Sequence, residues 1–226
     1  MSKDQRRPLP SMPPTSLRHG WYQPEISNER KNFVSAFDSK AKAPSTQART
    51  ADFSLVQEDP RRSFRWSRPL TTTPLLPPIL LSSHLRQFKE DAETGIAEPW
   101  AFELISRLQS LLASFADSKN GESRKNKLRG ILQDAGLAVT AGEVPGRKDK
   151  NYTTDGDFRV NGLPIEIWEL KEDYGWPGAE PWCRSLLYYH HLTKRHAVDN
   201  PSLNLPCLLN VLVGKALFFS LHWFDS

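Results

Sequence analysis

The chain has 226 residues, a net charge of +4 and two cysteines, Cys183 and Cys207. Two thiols 24 positions apart in apolar surroundings exclude a disulfide framework and a cysteine-based zinc site, and fit a reducing compartment. No apolar run reaches the length of a membrane span, and "MSKDQRRPLPSMPP" lacks the apolar stretch of a secretory leader.

Charge and proline are unevenly spread. Residues 1–90 hold 11 of the 18 prolines and 15 Lys+Arg against 8 Asp+Glu, whereas residues 91–226 hold 15 basic and 18 acidic groups. The division predicts a disordered or loosely docked, Pro-rich basic arm over 1–90 and a folded domain over 91–226. Within the arm, Arg61, Arg62, Arg65, Trp66 and Arg68 form a patch suited either to phosphate and a stacked base or to plain solvation.

From Glu98 the pattern becomes periodic. Ala101, Leu104, Ile105, Leu108, Leu111, Leu112 and Phe115 predict a helix, with Pro99 in its first turn. Leu128, Ile131, Leu132 and Ala135 predict a second, stopped by Gly136. Strand signals follow in "LAVTAGEV", "DFRV" and "PIEIWEL", then a helix in "EPWCRSLLYYHHLTKRH", then strands in "CLLNVLV" and "ALFFSLHWF". The order describes an α/β core of about 130 residues, an ordinary size for one domain. Trp168, Tyr188 and Phe218 read as core, and His190, His191 and His196 as exposed or capping. Ser185 and Cys183 have no base at a motif spacing, so a nucleophilic mechanism is not expected.

The run "TTDGDFRVNGLPIEIWELK" concentrates charge at a strand tip. The text D/E-x-K also occurs at Glu29-Arg30-Lys31, Asp38-Ser39-Lys40 and Asp117-Ser118-Lys119, but only Glu169-Leu170-Lys171 closes an alternating apolar strand. Residues two apart in a strand share a face, so Glu169 and Lys171 project together. Asp157 joins that face only if the Asn161-Gly162 turn is lengthened by a residue or a bulge forms near Pro164. Two carboxylates and an ammonium suit a site for Mg²⁺ (or Mn²⁺) and phosphodiester hydrolysis. A surface ion pair between Glu169 and Lys171 is the plain alternative.

These residues resemble the core of the PD-(D/E)XK (restriction-endonuclease-like) nuclease superfamily. More narrowly, "GDFRVNGLPIEIWELKEDYGWPGAEPWCRSLLYYHHL" followed by "LPCLLNVLVGKALFF" is similar to the nuclease-like domain of Crinkler-type effectors and related fungal proteins, over about residues 115–222. The resemblance implies a mixed central sheet flanked by helices and a metal-dependent nuclease acting on DNA, with RNA as the second choice. It makes Asp157 and Glu169 metal ligands, Lys171 the water-activating residue and Glu122 a supporting carboxylate, with Asp155 in reserve. Glu122 reads equally as a favourable charge at a helix N-terminus.

Where relatives often carry a helix glutamine, this chain has Arg184, which either contacts phosphate or pairs with Glu169 and displaces the metal. Arg147, Lys148 and Lys150 stand ready for nucleic-acid phosphate or form a mobile charged loop. The chain ends at "LHWFDS", where such domains commonly run on, which leads to the expectation of a shortened member. The alternative to catalysis is a degenerate nuclease-fold module that binds nucleic acid or a partner protein. The expected compartment is intracellular, with the nucleus or export as an effector kept open.

Overall fold

A computed structural model describes residues 24–64, 98–113, 121–146, 151–171, 178–200, 205–214 and 216–222, with a few isolated positions between 86 and 94. Three helices come first: α1 (Pro24–Ser39), α2 (Pro44–Gln47) and α3 (Thr50–Glu58). Then follow α4 (Pro99–Ala113), α5 (Gly121–Asp134), β1 (Glu143–Pro145), β2 (Asn151–Thr153), β3 (Gly156–Val160) and β4 (Leu163–Lys171). The chain continues through α6 (Pro181–Asp199), β5 (Cys207–Val213) and β6 (Ala216–His222).

Strands β3 to β6 form one mixed sheet in the order β3-β4-β5-β6, with β4 and β5 parallel and the outer pairs antiparallel. A parallel pair needs a crossover, and α6 supplies it between β4 and β5. β1 and β2 form a separate two-stranded ribbon. The α/β class with a mixed sheet between helices is as expected.

The inner strands β4 and β5 are packed on both faces, with α6 on one side and α4 and α5 on the other. Ile167 and Leu209 pack with Leu186, Leu187, Tyr188 and Tyr189 of α6 in one core. Trp168, Leu170 and Leu212 pack with Leu108, Leu111 and Leu112 of α4 and Leu128 and Leu132 of α5 in the other. The two helices before the sheet begin and end close to where Pro99 and Gly136 put them, and Gly136 takes the φ of +86° that stops α5. Ile105 is exposed rather than buried, and Phe115 lies outside the described residues.

The hairpin β3–β4 turns on Asn161 and Gly162, both with positive φ, as a two-residue turn of this kind requires. The register then shifts: Val160 faces Leu163 and Arg159 faces Pro164, but Phe158 faces Glu166 and Asp157 faces Ile167. Ile165 is the extra residue, so the bulge near Pro164 is the route taken, with no longer turn.

Three expectations are corrected. The arm is helical over 24–64 and packs on α6: Phe33, Phe37, Phe53 and Phe64 converge on its buried side. The Glu180 N–H at the start of α6 donates to Ala48 O at 2.8 Å, and Lys194 pairs with Asp38 at 2.8 Å. Residues 1–23 and 65–85 of the expected arm, with Arg65, Trp66 and Arg68, lie outside the described residues. Arg61 and Arg62 both bind Asp59, and Arg62 is buried, so of the two only Arg61 faces solvent. His190 and His191 are buried rather than exposed, because the arm covers that face of α6; the Phe37 ring lies 4.1 Å from that of His190. Phe218 is partly exposed on β6, since no described element covers it fully.

Candidate functional site

Strand alternation puts Glu169 on the α6 side of β4, together with Ile167. Its carboxylate is fully buried, and three cations stand around it. Arg184 of α6 brings Nη1 to 2.9 Å from Glu169 Oε1, Lys171 brings Nζ to 4.0 Å, and Lys125 of α5 acts from further off. Asp155, in the bend just before Gly156, which faces Trp168, lies against the Glu169-Leu170 end of β4. It too is buried: its Oδ2 accepts the Leu170 N–H at 2.9 Å, and Lys125 Nζ lies 2.8 Å from its Oδ1.

Burial, reinforced by the negative charge of Asp155, pushes the Glu169 carboxyl up to about 8; Arg184, Lys171 and Lys125 pull the other way and do not prevail. Neither oxygen of Glu169 has an aligned hydrogen-bond donor among the described residues, although Arg184 lies within ion-pair distance. A fully buried carboxylate left in this way is costly unless a charge or ligand compensates it.

Asp157 does not belong to this cluster. It lies one strand step back, opposite Ile167, and its carboxylate is bound by Arg159 Nε and Nη2, each at 2.8 Å, and by the Thr154 hydroxyl at 2.6 Å. Both of its oxygens are thus engaged. Of the two aspartates expected here, Asp155, the reserve carboxylate, is the one that lies beside the Glu169 strand tip, and Asp157 is held away from it by Arg159 and Thr154.

Glu122 stands exposed in the first turn of α5 and bonds Arg129 at 3.0 Å. It is linked to the site through Lys125, which lies 3.9 Å from Glu122 and 2.8 Å from Asp155. Arg129 in turn donates to the backbone carbonyl of Asp155 at 2.9 Å, which ties the Asp155 bend to α5. Arg147, Lys148 and Lys150 lie outside the described residues.

Lys125, Arg129 and Tyr188 were not singled out as site residues. Their one sequence signal is spacing: Lys125 follows Glu122 by three, and Tyr188 follows Arg184 by four, which places each pair on one helix face. Tyr188 Oη accepts from Arg184 Nε at 2.9 Å and Nη2 at 2.7 Å, and donates to Thr153 O at 3.1 Å. Nucleophilic chemistry finds no support, since burial pushes the Cys183 thiol up to about 12 and the Ser185 hydroxyl is bound to Trp182 O.

The residues fit a divalent cation. Asp155 and Glu169 are hard oxygen donors at one strand end, and Mg²⁺ is commonly bound by one or two carboxylates with water and phosphate completing its shell. No group of three His, Cys, Asp or Glu side chains placed to hold a metal occurs among the described residues.

No family model matches the chain, and no curated protein or solved structure matches it. No helix among the described residues is long and apolar enough to cross a membrane.

Proposed function

We propose that the chain is a restriction-endonuclease-like, divalent-cation-dependent nuclease that hydrolyses phosphodiester bonds in DNA. One observation carries the reading: Glu169 is fully buried with both oxygens lacking an aligned donor, beside a second buried carboxylate and two residues before a lysine. A core-filling strand has no use for that arrangement.

Asp155 and Glu169 would hold the cation, Mg²⁺ or Mn²⁺. When bound it supplies charge stabilisation at the phosphate and acidifies a water. Lys171 is partly exposed beside Glu169 and orients the attacking water. Arg184 offers a guanidinium to a phosphate oxygen, and Lys125 holds Asp155 in place. The solvent-facing side of the cluster is cationic, with Lys125, Lys171 and Arg184 more exposed than the two carboxylates beneath them. That layering suits a polyanion resting on a buried acidic site.

The test is cleavage of supercoiled plasmid and of single-stranded DNA by the purified full chain, with Mg²⁺ or Mn²⁺ against EDTA. Nicking that needs the cation and falls by about 10²-fold or more in Glu169→Gln and Lys171→Ala is the expected result. Cleavage at the wild-type rate in both variants would sink the assignment.

The Arg184–Glu169 ion pair favours a second reading, in which the fold is kept and the chemistry lost. A module of that kind would bind DNA with an affinity that falls steeply with salt, would not cut it, and would take up no Mn²⁺.

A further inference from the structure

Arg184 meets Glu169 in an unusual way. An arginine that locks a carboxylate does so with two parallel N–H bonds from its fork. Here Nη1 comes to 2.9 Å from Glu169 Oε1, yet neither carboxylate oxygen has an aligned hydrogen-bond donor among the described residues. The reason lies one turn further along α6. The Tyr188 hydroxyl takes both Nε and Nη2 of Arg184, and it is itself fixed by its bond to Thr153 O and by burial in the core. Anchored through Nε and Nη2, the guanidinium is held in an orientation from which its remaining N–H groups do not align on Glu169. It neutralises the carboxylate only in part.

We infer that Arg184 is a loose stand-in for the divalent cation beside Glu169, and that Tyr188 is the positioning residue that keeps it loose and so sets the cation affinity of the site. The inference rests on the proposed nuclease reading, and names two residues of α6 that tune it. The charge arithmetic is direct. A positive group already beside Glu169 disfavours a second one, so removing it strengthens cation binding. Removing the tyrosine hydroxyl frees Nε and Nη2 to turn onto Glu169, which strengthens the arginine and weakens the cation.

The two substitutions thus act in opposite directions, which a merely structural role for either side chain would not produce. The experiment is Mn²⁺ binding to the purified full chain, followed by the electron paramagnetic resonance of free Mn²⁺, for wild type, Arg184→Gln, Tyr188→Phe and Glu169→Gln. Folding of each is checked by circular dichroism. Arg184→Gln is expected to bind Mn²⁺ about tenfold more tightly than wild type, and Tyr188→Phe about fivefold more weakly, within the usual range of coupling between sites.

Equal affinity in wild type and Arg184→Gln, or an unchanged or tighter Tyr188→Phe, overturns the inference while leaving the cation site in place. Mn²⁺ binding that survives unaltered in Glu169→Gln, or no binding by any variant, removes the cation site and the inference with it. Should Arg184→Gln fail to fold both with and without Mn²⁺, Tyr188→Phe, which keeps every charge, decides alone: weaker binding supports the inference and any other result overturns it.

Discussion

Asp155 and Asp157 differ by two positions, one in the bend before β3 and one on the strand, and they have opposite surroundings. Asp155 holds Lys125 and the Leu170 N–H beside Glu169, whereas Asp157 is closed by Arg159 and Thr154 near Gly142. A methyl group at Gly142 would fall on the Asp157 carboxylate and the Arg159 guanidinium. Gly142→Ala is therefore expected to lose about 1–3 kcal/mol of stability in urea denaturation. Unchanged stability would mean that the Asp157–Arg159 pair has room to move. The sequence carried the alternation that puts Glu169 and Lys171 on one face, and it carried the bulge as one of two routes that bring Asp157 to that face. It did not carry the choice between the two aspartates, because that depends on which of them lies beside Glu169, a matter of the bend before β3 and of the Arg159 partner.

At the scale of elements, α6 has two separate tasks. Its first turns present Arg184 and Tyr188 to the sheet, and its middle presents His190 and His191 to the phenylalanines of the arm. Burial holds His191 down to about 4, helped by Lys194 and opposed by Asp38; it holds His190 well below its ordinary value, with His191 and Lys194 adding to the effect. Both are neutral when folded at neutral pH, and the unfolded chain binds their protons first as the pH falls. Stability is thus lost between the ordinary value of 6.5 and about 4, by ~3 kcal/mol for His191 alone. His191→Phe should flatten that part of the curve in denaturant titrations across pH 4–7; an unchanged slope would contradict it. The helices α4 and α5 were legible because Pro99 and Gly136 punctuate them and their leucines recur at helical spacing. Strand β2 was not, since three residues are too few to show a period.

On the scale of the whole molecule, the largest departure from the sequence reading is the arm. The core-facing positions of α1 include Ser27 and Arg30 as well as Phe37, all buried, so polar residues interrupt the apolar stripe and hide its period. The composition of residues 1–90 then outweighs a handful of phenylalanines in any sequence reading. Those phenylalanines complete the core over α6. Phe37→Ala should cost about 3–5 kcal/mol in thermal or urea unfolding. A chain trimmed to residues 91–226 would uncover the side of α6 that carries His190 and His191, and is expected to aggregate or to melt well below the full chain. A cooperative transition at the full-length temperature would show the arm to be dispensable.

The most direct measurement sets Asp155→Asn beside Asp157→Asn in Mn²⁺-dependent plasmid cleavage by the full chain, with both proteins shown to be folded. If Asp155 and Glu169 hold the cation, Asp155→Asn loses cleavage by about 10²-fold or more while Asp157→Asn keeps it, with lowered stability as its main defect. Loss confined to Asp157→Asn would contradict the account and return the site to the other aspartate.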